Sequence, residues 1–192
     1  MFGIIDNLAD IRQILDHSGD MAAGLAANAQ VMHIRWPAAN VGRCAILDVS
    51  ILGAVANGTA FAAGRGQWRL SKVTAWSVEG TGGTLISLAG SMGKISAQHP
   101  SQSLPTIRIA TTAALGSGTQ GSIDADFGAH NFNVLPTDTF TPLHGKIALF
   151  NAMESGENPI ILGPDDGLTV RCTVPATGVW RFSGRVTYGI II

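Results

Sequence analysis

Charge is what this sequence has least of. Only 13% of its 192 residues are Asp, Glu, Lys or Arg, against about 25% in typical soluble domains. A free monomer relies on a well-charged coat to stay apart from its neighbours, so this deficit points to a surface largely covered by other chains. The formal net charge of −1 offers no broad field to draw in nucleic acid or an anionic membrane, and neither is expected as a direct partner. Cysteine is also scarce. Cys44 and Cys172 make no disulfide framework and read as free thiols in a reducing compartment. No run approaches the roughly 18 apolar residues of a membrane span. Asp6 and Asp10 precede the first basic residue, Arg12, so the start does not read as a secretion signal.

The groups that carry catalysis are equally thin. Glutamate occurs only at Glu79, Glu154 and Glu157, and no acid pair of the glycosidase kind is indicated. No G-x-S-x-G elbow is present. Cys172 falls on an apolar strand face, where it reads as a small core hydrophobe. The five histidines lack a second ligand type at metal spacing; the nearest grouping, Asp124, Asp126 and His130, reads as an ordinary polar loop. Gly64-Arg65-Gly66 lacks a Walker lysine and precedes a strand. The expectation is a protein without enzymatic activity, cofactor or metal.

What is present is pattern. Ile4, Ile5, Leu8, Ile11 and Leu15 recur at helical spacing, with Asp6 and Asp10 early, where a helix dipole favours them. An Ala-rich stretch from Met21 to Met32, with Met21, Leu25 and Met32 on one face, predicts a second helix capped by Ser18 or Asp20. Residues 1–36 are therefore expected to form a helical arm, and residues 37–192 a β domain.

Beyond Pro37 the period falls to two. Leu47, Val49 and Ile51 predict one apolar strand face. A strand from Gln67 to Glu79, with Trp68, Leu70, Trp76 and Val78 on one side, is expected to turn at Thr81-Gly82-Gly83 and pair with Thr84 to Ala89. Thr106–Ala110, Ala125–Val134 and Lys146–Ala152 are further strands.

Leu168, Val170, Cys172 and Val174 alternate with polar residues. After Pro175-Ala176-Thr177-Gly178, so do Trp180, Phe182, Val186, Tyr188, Ile190 and Ile192. The two runs predict an antiparallel hairpin with one buried face. Arg171, Arg181 and Arg185 are expected to share its outer face, and Ile191 breaks the outward polar code near the chain end. Short strands without intervening helices favour an antiparallel, jelly-roll-like β-sandwich.

The segment from Asn158 through Ile160, Leu162, Pro164-Asp165-Asp166-Gly167 and Arg171, followed by the closing strand, resembles the C-terminal hairpin of small jelly-roll virion proteins of tailed bacteriophages. Ala60 to Ala89 is similar to an earlier sheet of that family. The resemblance implies a structural component of a phage particle, made in the host cytoplasm. It would bind the capsid or neck in symmetric copies, as a trimer or higher, alongside other virion proteins. The expected assembly surface is Ile4, Leu8, Ile11 and Leu15 together with Arg171, Arg181, Arg185 and Ile191. The alternative is a tail, fibre or receptor- and glycan-binding module, for which Trp36 is the only tryptophan free of a predicted core face.

Overall fold

The computed structural model describes residues 8–22, 25, 27–56, 64–88, 94–97, 103–134, 145–175 and 179–192. Its strands are β1 (Leu8–His17), β2 (Met21–Ala22), β3 (Ala29–Trp36), β4 (Arg43–Ala56), β5 (Gly64–Val73), β6 (Thr84–Leu85) and β7 (Lys94–Ala97). They continue with β8 (Thr106–Ile109), β9 (Ile123–Val134) and β10 (Ile147–Asn151). The helical turn α1 (Ala152–Ser155), β11 (Ile160–Leu162), β12 (Asp166–Thr173) and β13 (Val179–Ile191) close the chain.

Two antiparallel sheets pack face to face, as the alternation predicts. The front sheet runs β10-β4-β13-β1-β7, with β11 also on β4 and β2 also on β13; the back sheet runs β6-β8-β3-β12-β5-β9. Between them lies one large apolar core. Its centre is aromatic: Trp68 and Phe132 from the back sheet meet Trp180 and Phe182 from the front, with ring centroids 5.5 to 6.2 Å apart. Offset and edge contacts of this kind are favourable beyond the area they bury.

The helical arm is overturned. Leu8–His17 is a strand paired with β13 and β7, and Ala29–Trp36 is a strand between β12 and β8. The described part of residues 1–36 is thus built into both sheets and forms no separate arm. The misleading pattern has a physical source. A register shift between Leu8 and Asp10 puts one extra residue into β1, which changes the parity of the strand. Leu8, Ile11 and Leu15 then fall on one side despite a spacing that also suits a helix. Ile14 goes into the main core. The strand β3 is buried along nearly its whole length, so it has no alternation to read. It is preceded by Asn28 at φ 58, a left-handed turn residue that asparagine tolerates better than most.

The last two strands are not a hairpin. Their buried faces are as expected except at the end, with Leu168, Val170, Cys172, Val174, Trp180, Phe182, Val186, Tyr188 and Ile190 all in the core. Ile192, expected beside them, is exposed because it lies past the last paired residue of β13. Yet β12 pairs with β3 and β5 in the back sheet, while β13 pairs with β1 and β4 in the front. The chain crosses from one sheet to the other between them. The Thr81-Gly82-Gly83 turn likewise leads to a strand, β6, that pairs with β8 and not with β5. In β4 a second register shift, opposite Thr187 and Tyr188, sends Leu47 to the outer face while Val49 and Ile51 stay in the core.

Part of the outer face of the back sheet is roofed by the segment that follows β5. Trp76 is fully buried on top of Gly167, where a Cβ would meet the indole at 2.5 Å. The Trp76 backbone oxygen accepts a hydrogen bond from Arg35 Nε at 2.5 Å, and Asp165 Oδ1 accepts from Arg35 Nη2 at 2.6 Å. His33 meets the Trp76 ring edge-on at 4.7 Å. Trp76 is therefore buried as expected, but outside the sandwich.

Candidate functional site

Six of the proposed assembly residues, Leu8, Ile11, Leu15, Arg181, Arg185 and Ile191, come together on the outer face of the front sheet, because β1 lies beside β13. Leu8 is the partner of Ile191, and Leu15 of Arg185. Two segments at opposite ends of the chain thus form one surface. Ile4 lies outside the described residues.

One half of this face is apolar. Leu8, Ala45 and Leu47 are buried in a second small cluster, and Ile11, Ile161 and Ile191 pack against it, partly exposed. Gly189 lies under the Leu8 side chain, where a Cβ would meet Leu8 Cδ1 at 2.5 Å. Ile191 is therefore a member of an apolar patch, and only the last residue, Ile192, stands fully in water at 82% exposed.

The other half mixes apolar and charged groups. Leu15 on β1 and Leu52 on β4 are 54% and 40% exposed, and flank β13 on either side. Between them stand Arg185 and Arg181. Arg185 Nη2 lies 2.9 Å from Asp48 Oδ2, and Ser50 Oγ donates to the same oxygen at 3.1 Å. Lys146 Nζ is 3.7 Å from Asp48 Oδ1. Asp48 itself is buried. Arg181 is exposed and binds Asp20 through Nη2 at 2.6 Å. His17 Nδ1 and Ser183 Oγ are hydrogen-bonded at 2.5 Å.

Arg171 does not belong to this surface. The sheet crossing places it on the outer face of the back sheet, where its Nη2 donates to Asp126 Oδ1 at 2.8 Å and to Ser71 Oγ at 2.5 Å. Arg69 Nε donates to Asp126 Oδ2 at 2.6 Å. Burial pushes the Asp126 carboxyl up, but the hydrogen bonds from Ser71 and Arg69, the Arg69 charge and the Arg171 hydrogen bond outweigh it, and the group is held below its ordinary value. Asp126 is thus a structural acceptor for two arginines. Among the described residues no three His, Cys, Asp or Glu side chains converge as a metal site.

Cys44 and Cys172 are buried, unbridged thiols whose pKa values burial drives up, the opposite of an activated nucleophile. Trp36 is fully buried, which removes the aromatic that the glycan-binding reading relied on. Among the described residues the exposed large aromatic is Phe127 instead, 46% accessible. A bulge brings it out, and no sequence pattern signals that bulge.

The fold and this surface define an antiparallel β-sandwich with a mixed apolar and arginine-bearing outer face. No known family model matches the chain, and no curated protein matches it.

Proposed function

We propose that this protein is a structural component of a bacteriophage particle, of decoration or minor capsid type, present in symmetric copies and made in the host cytoplasm. Its outer front-sheet face is the contact with a second copy of itself. The observation that carries the reading is the composition of that face. An apolar patch around Leu8, Leu47 and Ile191 runs into exposed Leu15 and Leu52, and the arginines between them have their charge met by Asp20 and Asp48. Arginine beside apolar residues, with few uncompensated charges, is the composition of a protein interface core. The low charge of the whole chain is consistent with copies that cover one another.

The reading is tested on purified particles. Mass spectrometry should detect the chain in stoichiometric amounts, and immunogold labelling should place it in a symmetric ring or lattice. A chain absent from purified particles, and found only free in the lysate, contradicts it.

A further inference from the structure

Opposite the bulge in β9, the sandwich opens into a groove. Leu70 of β5 pairs with Gly128 and Ser71 pairs with Asp126, so Phe127 is the extra residue and leaves the ladder. Bulges re-aim a side chain in this way and are common beside binding sites. Gly128 makes the bulge compatible with the neighbouring sheet, since a Cβ there would collide with the Leu149 carbonyl of β10.

Phe127 stands at the junction of two adjoining hollows of about 420 and 530 Å³, which share Phe127, Phe150 and Glu157 in their walls. Each is within the size range of small-ligand sites. The cations nearby are occupied: Lys72 Nζ lies 3.3 Å from Asp166 Oδ2, and Lys146 lies 3.8 Å from Glu154. Glu157 and Asn158, both exposed, line the larger hollow.

We propose that this groove binds a short neutral oligosaccharide. Phe127 is the platform for the C–H face of one sugar ring, and Glu157 and Asn158 are the hydrogen-bonding groups for its hydroxyls. A sugar presents an apolar face and a polar rim, as this groove does. The exposed carboxylate of Glu157, with the lysines already paired, disfavours sulfated or sialylated ligands. The groove lies at the edge of the sandwich and meets the front-sheet patch at Ile161, but Phe127, Glu157 and Asn158 are not part of that patch, and the proposal goes beyond the assembly role.

The test is saturation-transfer NMR and titration calorimetry on the intact protein, with maltotriose, cellotriose and chitotriose as neutral probes and sialyllactose as the anionic one. At least one neutral probe should bind. Phe127→Ala should weaken that binding about tenfold or more, the equivalent of about 1.4 kcal/mol, and Phe127→Trp should retain it. Self-association should be the same in all three proteins. If no neutral trisaccharide binds, if Phe127→Ala binds as well as the parent, or if sialyllactose binds equally, the assignment is wrong. None of these results touches the assembly reading, which is measured by sedimentation.

Discussion

Arg181 and Arg185 project from the same face of β13, but they hold very different stakes in the fold. Arg181 and its partner Asp20 are both about half exposed, with side chains 55% and 49% accessible, and such a pair contributes at most about 1 kcal/mol. Arg185 covers a buried Asp48. Removing Arg185 takes the nearest cation from a buried carboxylate and leaves it only Ser50 and the more distant Lys146, at a cost of roughly 1 to 3 kcal/mol. Arg181→Glu should therefore leave the denaturation midpoint nearly unchanged, while Arg185→Glu should lower it markedly. Urea titration of the two variants checks this, and equal midpoints would refute the distinction.

His33 makes a second residue-scale prediction. Burial, with the nearby Arg108 charge adding to it, lowers its pKa from 6.5 to about 3. In the folded protein the ring stays neutral between those values, whereas in the unfolded chain it takes a proton. The unfolded state then binds more protons, so stability is complete above about pH 6.5 and falls as the pH drops toward 3, by up to about 1.4 kcal/mol per pH unit. The depressed Asp126 carboxyl adds its own loss only below about pH 4, where an unfolded aspartate begins to take up its proton. Denaturation curves between pH 6.5 and 4.5 should show the slope in the parent and a flatter one in His33→Phe. An unchanged slope in the variant would rule His33 out as its source.

Among the elements, β1 and β3 are decisive. Both come from the segment expected to be a helical arm, and both are paired on two sides within their sheets: β1 lies between β13 and β7, and β3 between β12 and β8. A chain beginning at residue 37 should therefore fail to fold, with poorly dispersed amide resonances and no cooperative melt. A well-folded truncated domain would restore the arm. Ile14→Asp, which puts a carboxylate into the main core, should be as damaging as a buried unpaired charge anywhere.

These elements also show what could be read from the chain in advance. Strand faces with a clean period of two, such as Leu168–Val174 and Trp180–Ile190, were legible because burial on one side imposes the alternation. Neighbours were not. A strand facing its mate across a core obeys the same in-and-out code as one paired beside it, so β12 and β13 looked like a hairpin. Bulges in β1, β4 and β9 shifted parity, which disguised β1 as a helix, misassigned Leu47 and hid Phe127. The front-sheet site was half legible: its residues were named from their chemistry, but only the β1–β13 pairing brings Leu8 to Ile191 and Leu15 to Arg185, and only the sheet crossing removes Arg171.

For the whole molecule, the low charge and the front-sheet face point the same way. The back sheet covers part of its outer face with Trp76, while the front sheet leaves Leu15 and Leu52 exposed beside an apolar patch. Burying the half of each leucine that is still exposed contributes roughly 1 kcal/mol on association, and in symmetric copies this gain repeats at each contact.

Sedimentation velocity over a range of concentrations, on the parent and on a Leu15→Lys/Leu52→Lys double variant, tests that account most directly. The parent should sediment as a discrete oligomer, a trimer or larger. The variant should sediment as a monomer with an unchanged thermal melt, because both leucines already face water. A parent that stays monomeric at the highest concentration, or a double variant that assembles as well as the parent, would contradict it.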